Sequence, residues 1–363
     1  MNKYKISVYA ICKNEEKFVD KWVNSMKEAD EIYVLDTGST DNTVQRLKDL
    51  GVHVETKIIS PWRFDVARNE SLKLVPQDTD IYVCTDLDEL FLPGWRKDLE
   101  EKWQENTNQA KYQYNWKLDK YGNPLLSFLY DKIHDKNFKW KYPVHEILEY
   151  QLKEKRNVVI LNNTTLNHYQ DKTKNRSSYL PLLELALEEN PKDSRSLYLL
   201  AREYVVKNRW EDCLKIIEQY FEIFKNDYYV RYATMHRYAG RCYKNLNNYE
   251  ESKKWYEKAI KIIPKLREGY IELAILEHQN YNYGNTIKLA EKALEITENS
   301  LNVINEIFAW DETIYYLLSS SYFNTSRLEK AEEYLNKGLK MNPENKKLLQ
   351  IKQNIEYVKD LTK

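Results

Sequence analysis

Two aspartates one residue apart, Asp86 and Asp88, follow directly on the apolar run Ile81-Tyr82-Val83-Cys84. Alternate residues of an extended chain point to the same side, so the two carboxylates are expected to converge. Glu89 falls on the opposite side of such a chain and is left out of the pair. Two hard oxygen donors suit Mg²⁺ or Mn²⁺, with a diphosphate completing the shell. Asp36 ends an earlier run, Ile32-Tyr33-Val34-Leu35, where its carboxylate can accept hydrogen bonds from a base or a ribose. Gly38 then permits a tight turn, and Ser39 or Asp41 can cap the next helix. Asp65 and Arg68 lie three apart in a helical pattern, hence on one face. They form either a plain surface ion pair or a place where Arg68 reaches a nucleotide.

The elements that must position these residues are legible as patterns. Ile6–Ile11, Ile32–Leu35, Val52–Val54 and Ile81–Cys84 are short apolar runs, as in strands buried on both faces of a parallel sheet. Helical patterns lie between them, at Glu15–Met26, Asn42–Leu50 (closed by Gly51) and Phe64–Val75 (closed by Pro76). This alternation predicts a doubly wound α/β sheet whose ligands bind beyond the carboxyl ends of the strands. From Tyr112 the pattern changes. Tyr112, Tyr114 and Trp116 alternate with polar residues, and Leu125–Tyr130 and Val158–Leu161 are further strand candidates, so antiparallel strands are expected to join the sheet.

Beyond about residue 175 nearly everything reads as helix, and it repeats. Gly240, Tyr243, Tyr249, Tyr256, Ala259 and Pro264 recur 34 residues on as Ala274, Tyr283, Ala290 and Ala293. They recur again as Ser319, Tyr322, Ala331, Leu335, Gly338 and Pro343, and upstream as Ala201, Tyr204, Trp210, Cys213 and Tyr220. A 34-residue period with small residues at helix crossings is the tetratricopeptide pattern. Five extra residues separate copies one and two (201 to 240). Eleven separate copies three and four (274 to 319), around Thr297 to Ile307. The expected organisation is an α/β domain over residues 1–172 and an all-α repeat solenoid over 173–363.

Composition narrows the function classes. The chain has 363 residues, 42% of them apolar, and 56 basic against 56 acidic side chains. A formal charge of zero gives no support to a nucleic-acid or membrane-surface partner recruited by bulk charge. Cys12, Cys84, Cys213 and Cys242 are widely spaced, which suits a reducing compartment. No segment approaches the ~18 apolar residues that span a bilayer, and the N-terminus lacks a signal-peptide pattern. A cytoplasmic location is the expectation. The sequence contains no P-loop and no Gly-x-Gly-x-x-Gly, Gly-x-Ser-x-Gly or His-Glu-x-x-His motif.

In their order along the chain, Ala10-Ile11-Cys12-Lys13-Asn14-Glu15-Glu16, Leu35-Asp36-Thr37-Gly38-Ser39-Thr40-Asp41, Ala67-Arg68-Asn69 and Thr85-Asp86-Leu87-Asp88 resemble family 2 glycosyltransferases of the GT-A fold, over roughly residues 5–170. The resemblance implies a Rossmann-like domain with a mixed sheet. It implies that Ala10 and Asp36 hold the nucleoside, that Asp65 and Arg68 belong to the donor site, and that Asp86 and Asp88 hold ribose and metal. Many relatives carry a second acid after the one matched by Asp36, where this chain has Thr37, which leaves the nucleobase open. Glu146, in Tyr142-Pro143-Val144-His145-Glu146, matches the catalytic base. A carboxylate there can take the acceptor proton while a metal stabilises the departing diphosphate. His168 matches a late metal ligand, although His145 remains an alternative; an imidazole suits Mn²⁺ better than Mg²⁺.

The implied activity is inverting transfer from a nucleotide diphosphate sugar, expected to be a UDP-sugar. A GT-A domain followed by repeats also looks like bacterial enzymes that glycosylate peptides, including cysteine side chains in antimicrobial peptides. A peptide or protein acceptor is therefore expected, with a saccharide acceptor and repeat-mediated homodimers as the alternative. Two other classes compete. One is a scaffold with a degenerate nucleotide-binding domain. The other is a nucleotidyltransferase, which needs a Gly-rich basic loop where this chain has Cys12-Lys13-Asn14-Glu15-Glu16.

Overall fold

The computed structural model describes residues 3–171, 179–225, 229–298 and 306–361. They fall into two compact units, Met1–Glu189 and Asn190–Lys363. The boundary expected at residue 172 lies outside the described residues.

Unit 1 runs β1 (Ile6–Cys12), α1 (Val19–Met26), β2 (Glu31–Asp36), α2 (Thr43–Asp49), β3 (His53–Thr56), α3 (Phe64–Lys73), β4 (Ile81–Cys84), β5 (Glu89–Phe91), α4 (Trp95–Lys102), β6 (Gln109–Leu118), β7 (Pro124–His134), β8 (Phe138–Lys141), β9 (Ile147–Tyr150), β10 (Val158–His168) and α5 (Tyr179–Glu189). Eight strands form one sheet in the order β3-β2-β1-β4-β7-β6-β10-β5, and β8 pairs with β9 alone. β3, β2, β1 and β4 are mutually parallel, and β7 joins β4 antiparallel. The expected mixed sheet is therefore present.

All seven residues of β1 are buried. Its alternation explains why. Ile6, Val8, Ala10 and Cys12 pack into the core that includes Val19, Trp22, Val23 and Met26 of α1. Tyr9 and Ile11 face the other way, in clusters with the α3 residues Leu72 and Ala67. A strand covered by helices on both faces has no polar side to show, hence its unbroken apolar run. Helix α1 begins at Val19, later than the expected Glu15, because Glu15–Phe18 forms a turn closed by Phe18 N–H to Glu15 O at 2.8 Å.

Unit 2 runs α6 (Ser194–Val206), α7 (Trp210–Ile223), α8 (Tyr229–Asn245), α9 (Tyr249–Ile262), α10 (Arg267–Gln279), α11 (Tyr283–Leu294), α12 (Thr313–Asn324), α13 (Leu328–Met341) and α14 (Lys346–Leu361). Its first four helix pairs are the four repeat copies. At the α8–α9 crossing, a Cβ on Gly240 would stand 2.6 Å from the buried Tyr256 ring, so only glycine fits. The turn between the helices of each pair is built the same way. Asn208, Asn247, Tyr281 and Ser326 adopt positive φ. The next residue donates its N–H five residues back, from Arg209 to Tyr204, Asn248 to Tyr243, Asn282 to Glu277 and Arg327 to Tyr322. This is the Schellman closure of a helix end. Among the described residues no helix is long and apolar enough to cross a membrane.

Candidate active site

β4 ends at Cys84, in register with Tyr9 of β1, which runs three residues further. Beyond Cys84 the chain does not stay extended. Asp86–Glu89 is a tight turn, closed by Glu89 N–H to Asp86 O at 3.0 Å and by Asp86 N–H to Glu89 Oε2 at 2.9 Å. The premise that Asp86 and Asp88 share one side of an extended chain is therefore corrected, because the turn sends them to different partners.

Asp86 sits between two cations. Arg68 of α3 reaches Oδ1 at 2.5 Å, and Lys132 of β7 reaches Oδ2 at 3.4 Å. Burial alone would raise the Asp86 pKa, but Arg68 and Lys132 overcome it and hold the carboxyl well below its usual range. Arg68 also donates from Nε to Glu146 Oε1 at 3.0 Å, and its own side chain is only 3% exposed. Lys132 in turn stands 3.7 Å from Glu89 Oε2, while Tyr114 of β6 donates to Glu89 Oε1 at 2.8 Å. Burial pushes the Glu89 pKa up, and Asp86 beside it adds to that rise against the pull of Lys132. Five charges of alternating sign thus run Glu89, Lys132, Asp86, Arg68, Glu146.

Glu146 lies in the loop between β8 and β9. That loop is held to the start of α3 by Phe64 N–H to Pro143 O at 2.9 Å. Tyr142 and His145 flank it with positive φ, a sharp path for non-glycine residues. The His145 ring packs edge-on against Tyr179 at 5.3 Å.

His168, at the end of β10, pairs in register with Glu89, which brings it to Asp88. Its Nε2 lies 3.4 Å from Asp88 Oδ2. Its Nδ1 lies 3.1 Å from the Trp116 carbonyl, which can only accept, so Nδ1 carries the hydrogen. In the neutral ring, Nε2 then aims a lone pair at a carboxylate oxygen, and the contact becomes attractive with a proton on Nε2 or a metal cation between them. Burial opposes charge on this imidazole, yet the bond to Asp88 raises its pKa above the ordinary histidine value. A ligand histidine whose other nitrogen is tied to a backbone carbonyl is the usual arrangement at protein metal sites. Asp88 and His168 fit a divalent ion on this ground. Asp86 does not, since both of its oxygens already face cations. Among the described residues no group of three or more His, Cys, Asp or Glu side chains could hold a metal ion.

The remaining expected residues lie outside this cluster. Asp65 pairs with Arg63 (Nε to Oδ1 3.0 Å, Nη2 to Oδ2 2.9 Å), so the alternative of an Asp65–Arg68 ion pair is corrected. Arg68 turns inward to the sheet end while Asp65 stays at the helix start. Asp36 accepts hydrogen bonds from the N–H groups of Gly38 and Ser39, where Gly38 takes a φ of 107°. Ala10 is fully buried within β1, two residues before its end. Sequence reasoning missed Lys132 and rejected Glu89. A lysine in Tyr130-Asp131-Lys132-Ile133 carries no local sign of burial; only the β4–β7 pairing shows it.

Residues 7–159 match the glycosyl transferase family 2 model, and residues 239–266 and 312–345 match tetratricopeptide repeats. An uncharacterized glycosyltransferase of Rickettsia prowazekii is 27% identical over 153 residues, which are 36% of this chain and 52% of that protein. Its counterpart in Rickettsia typhi matches at the same identity and the same coverage. The chain thus spans about half the length of the curated relatives it matches. Among solved structures, MamA from Desulfovibrio magneticus RS-1 is 20% identical and covers 46% of this chain and 86% of its own, at a TM-score of 0.39, a likeness too slight to argue from. The first unit of this chain carries a glycosyl transferase family 2 domain, and the second carries tetratricopeptide repeats.

Proposed function

We propose that unit 1 transfers a sugar from a nucleotide diphosphate donor, expected to be a UDP-sugar, to an acceptor held at Glu146. The observation that carries this is the single buried guanidinium of Arg68, which gathers Asp86 from the end of β4 and Glu146 from the β8–β9 loop. Arg68 engages Glu146 through Oε1, so the carboxylate is oriented while Oε2 can take a proton. The acceptor loses its proton to Glu146 and attacks the anomeric carbon. The bond from that carbon to the diphosphate breaks, and the diphosphate leaves with the electron pair. Attack opposite the leaving group inverts the anomeric centre. Asp88 and His168 would hold a divalent ion, Mn²⁺ or Mg²⁺, which when bound offsets charge on the leaving diphosphate. Asp86, locked by Arg68 and Lys132, serves to orient the ribose.

The test is donor turnover with UDP-sugars and Mn²⁺. Glu146→Gln is expected to bind donor normally and to transfer about 10²-fold or more slowly. Asp88→Ala is expected to abolish turnover while the protein stays folded. Wild-type rates in Glu146→Gln would remove it as the base, and full activity in excess chelator would remove the metal. The acceptor is a peptide or a saccharide, and a transfer screen across both classes separates them.

A further inference from the structure

Three tyrosines stand together beside the charged cluster of unit 1, and their hydroxyls differ in surroundings. Tyr112 of β6 is fully buried, and its hydroxyl has no partner among the described residues. Tyr114, two residues on, donates to Glu89 at 2.8 Å. Tyr130 of β7 pairs in register with Tyr112 and stacks on Tyr114, with ring centroids 4.7 Å apart. It is the half-buried member of the three, and among the described residues its hydroxyl has no hydrogen-bond partner. A tyrosine hydroxyl in a packed site ordinarily finds one.

The strand places Tyr130 on the side of the sheet where ligands bind. β7 runs antiparallel to β4, with Ile133 and His134 paired to Val83 and Tyr82. Continuing that register puts Lys132 at the level of Cys84 and Tyr130 at the level of the Asp86–Glu89 turn, beyond the carboxyl end of β4. Lys132 Nζ lies over the Tyr130 ring, 4.9 Å from its centroid. Lys132 and Asp86 link the ring to Arg68 and Glu146, on the side of the proposed base. Tyr114 links it to the proposed metal pair, since the Tyr114 and His168 rings lie 6.1 Å apart. Burial raises the Tyr130 pKa, and Glu89, Glu146 and Asp86 add to the rise against the pull of Lys132. The phenol therefore keeps its proton at neutral pH and can both donate and accept a hydrogen bond.

In a nucleotide diphosphate sugar, the transferred sugar lies between the diphosphate and the acceptor. Tyr130 stands between the residues proposed for each. We propose that the Tyr130 hydroxyl hydrogen-bonds a hydroxyl group of the transferred sugar and so sets which donor sugar is used. The ring is taken up by Tyr114 and Lys132, which leaves the hydroxyl to meet a ligand. The assignment rests on the glycosyl-transfer reading. A site that hydrogen-bonds a substrate hydroxyl rejects the analogue that lacks it, because the protein group is then left unpaired.

The test uses the full chain with Mn²⁺. UDP-glucose, UDP-galactose, UDP-xylose and UDP-N-acetylglucosamine are scored for UDP release. The sugar that wild type uses fastest is then supplied in deoxy forms, one hydroxyl removed at a time. Tyr130→Phe keeps the ring and removes only the hydroxyl. It is expected to lower kcat/KM for the intact donor about tenfold. It is expected to leave the Kd of UDP, read by isothermal titration calorimetry, unchanged, since UDP carries no sugar. One deoxy donor is expected to cost wild type about tenfold and to cost Tyr130→Phe nothing further. Where Tyr130→Phe fails to fold by circular dichroism, Tyr130→Met takes its place in the same assays. A loss of UDP affinity that matches the loss of turnover marks a merely structural role and overturns the proposal. Wild-type kcat/KM in the folded variant, or equal use of every deoxy donor by wild type, also overturns it. Wild-type protein that neither binds UDP nor releases it from any of these donors fails the donor reading itself, and the proposal with it.

Discussion

Arg68 holds two carboxylates that come from distant parts of the chain, and its loss is felt at both. Arg68→Met is expected to leave Asp86 and Glu146 without their common partner and to destabilise unit 1 by about 3 kcal/mol. That is the low end for a broken buried pair, because the Asp86 side chain is 35% exposed. Arg68→Lys restores the charge but not the fork that meets two carboxylates, so it is expected to recover part of the loss. Urea denaturation at pH 7 reads both. A second buried group sets a pH dependence. Trp140 Nε1 donates to the Tyr9 hydroxyl, which donates to His134 Nε2 at 2.7 Å, and His134 Nδ1 donates to the Asp135 carbonyl. Burial drives the His134 pKa down to about 4. The folded value lies below the unfolded one, so the stability it contributes is complete above about pH 6.5. It is lost as pH falls toward about 4, by about 3 kcal/mol in all. Denaturation midpoints at pH 7.5 and 5.5 are expected to differ less in His134→Gln than in wild type.

At the scale of elements, the repeat turns show sequence and backbone agreeing. The positive-φ residues Asn208, Asn247, Tyr281 and Ser326 are spaced 39, 34 and 45 apart. Ala201, Gly240, Ala274 and Ser319, the small residues that set the period, have the same spacing. The extra residues before copy two and before copy four therefore leave each hairpin's own geometry intact. Tyr281 is the least suited of the four to a left-handed turn, and the residue is 78% exposed. Tyr281→Gly is expected to stabilise unit 2 by about 1 kcal/mol, read as a rise in its denaturation midpoint. The Asp86–Glu89 turn teaches the opposite lesson. Its residues read equally well as a strand continuation, and the choice was made by the Glu89 carboxylate reaching back to the Asp86 N–H.

At the scale of the molecule, each unit has its own core, one around β1, α1 and α4 and one around α10, α12 and α13. A ligand that binds only the folded site raises the stability of the unit that holds it. UDP with Mn²⁺ at about 100 times its dissociation constant is expected to stabilise unit 1 by about 2.7 kcal/mol. Thermal unfolding of the full chain, followed at a unit 1 signal and a unit 2 signal, is expected to show the shift in the first alone. Absence of any shift across a panel of nucleotides would count against the donor site.

The sequence by itself determined the architecture and named most of the residues proposed for the site. Apolar runs of strand length, helices between them and a 34-residue spacing of small residues are local signals, because burial and helix crossing act on neighbours along the chain. Asp86 and Asp88 were legible as residues following a strand and Arg68 as one on a helix, while Glu146 and His168 came from the family resemblance. The tertiary structure alone decided who meets whom. Sheet order set Lys132 of β7 beside Asp86 in the turn after β4, and β5–β10 pairing set His168 at Asp88. The turn at Asp86–Glu89 separated the two aspartates that spacing had joined. Charge pairing in a buried site depends on contacts between residues tens of positions apart, and no period along the chain encodes that.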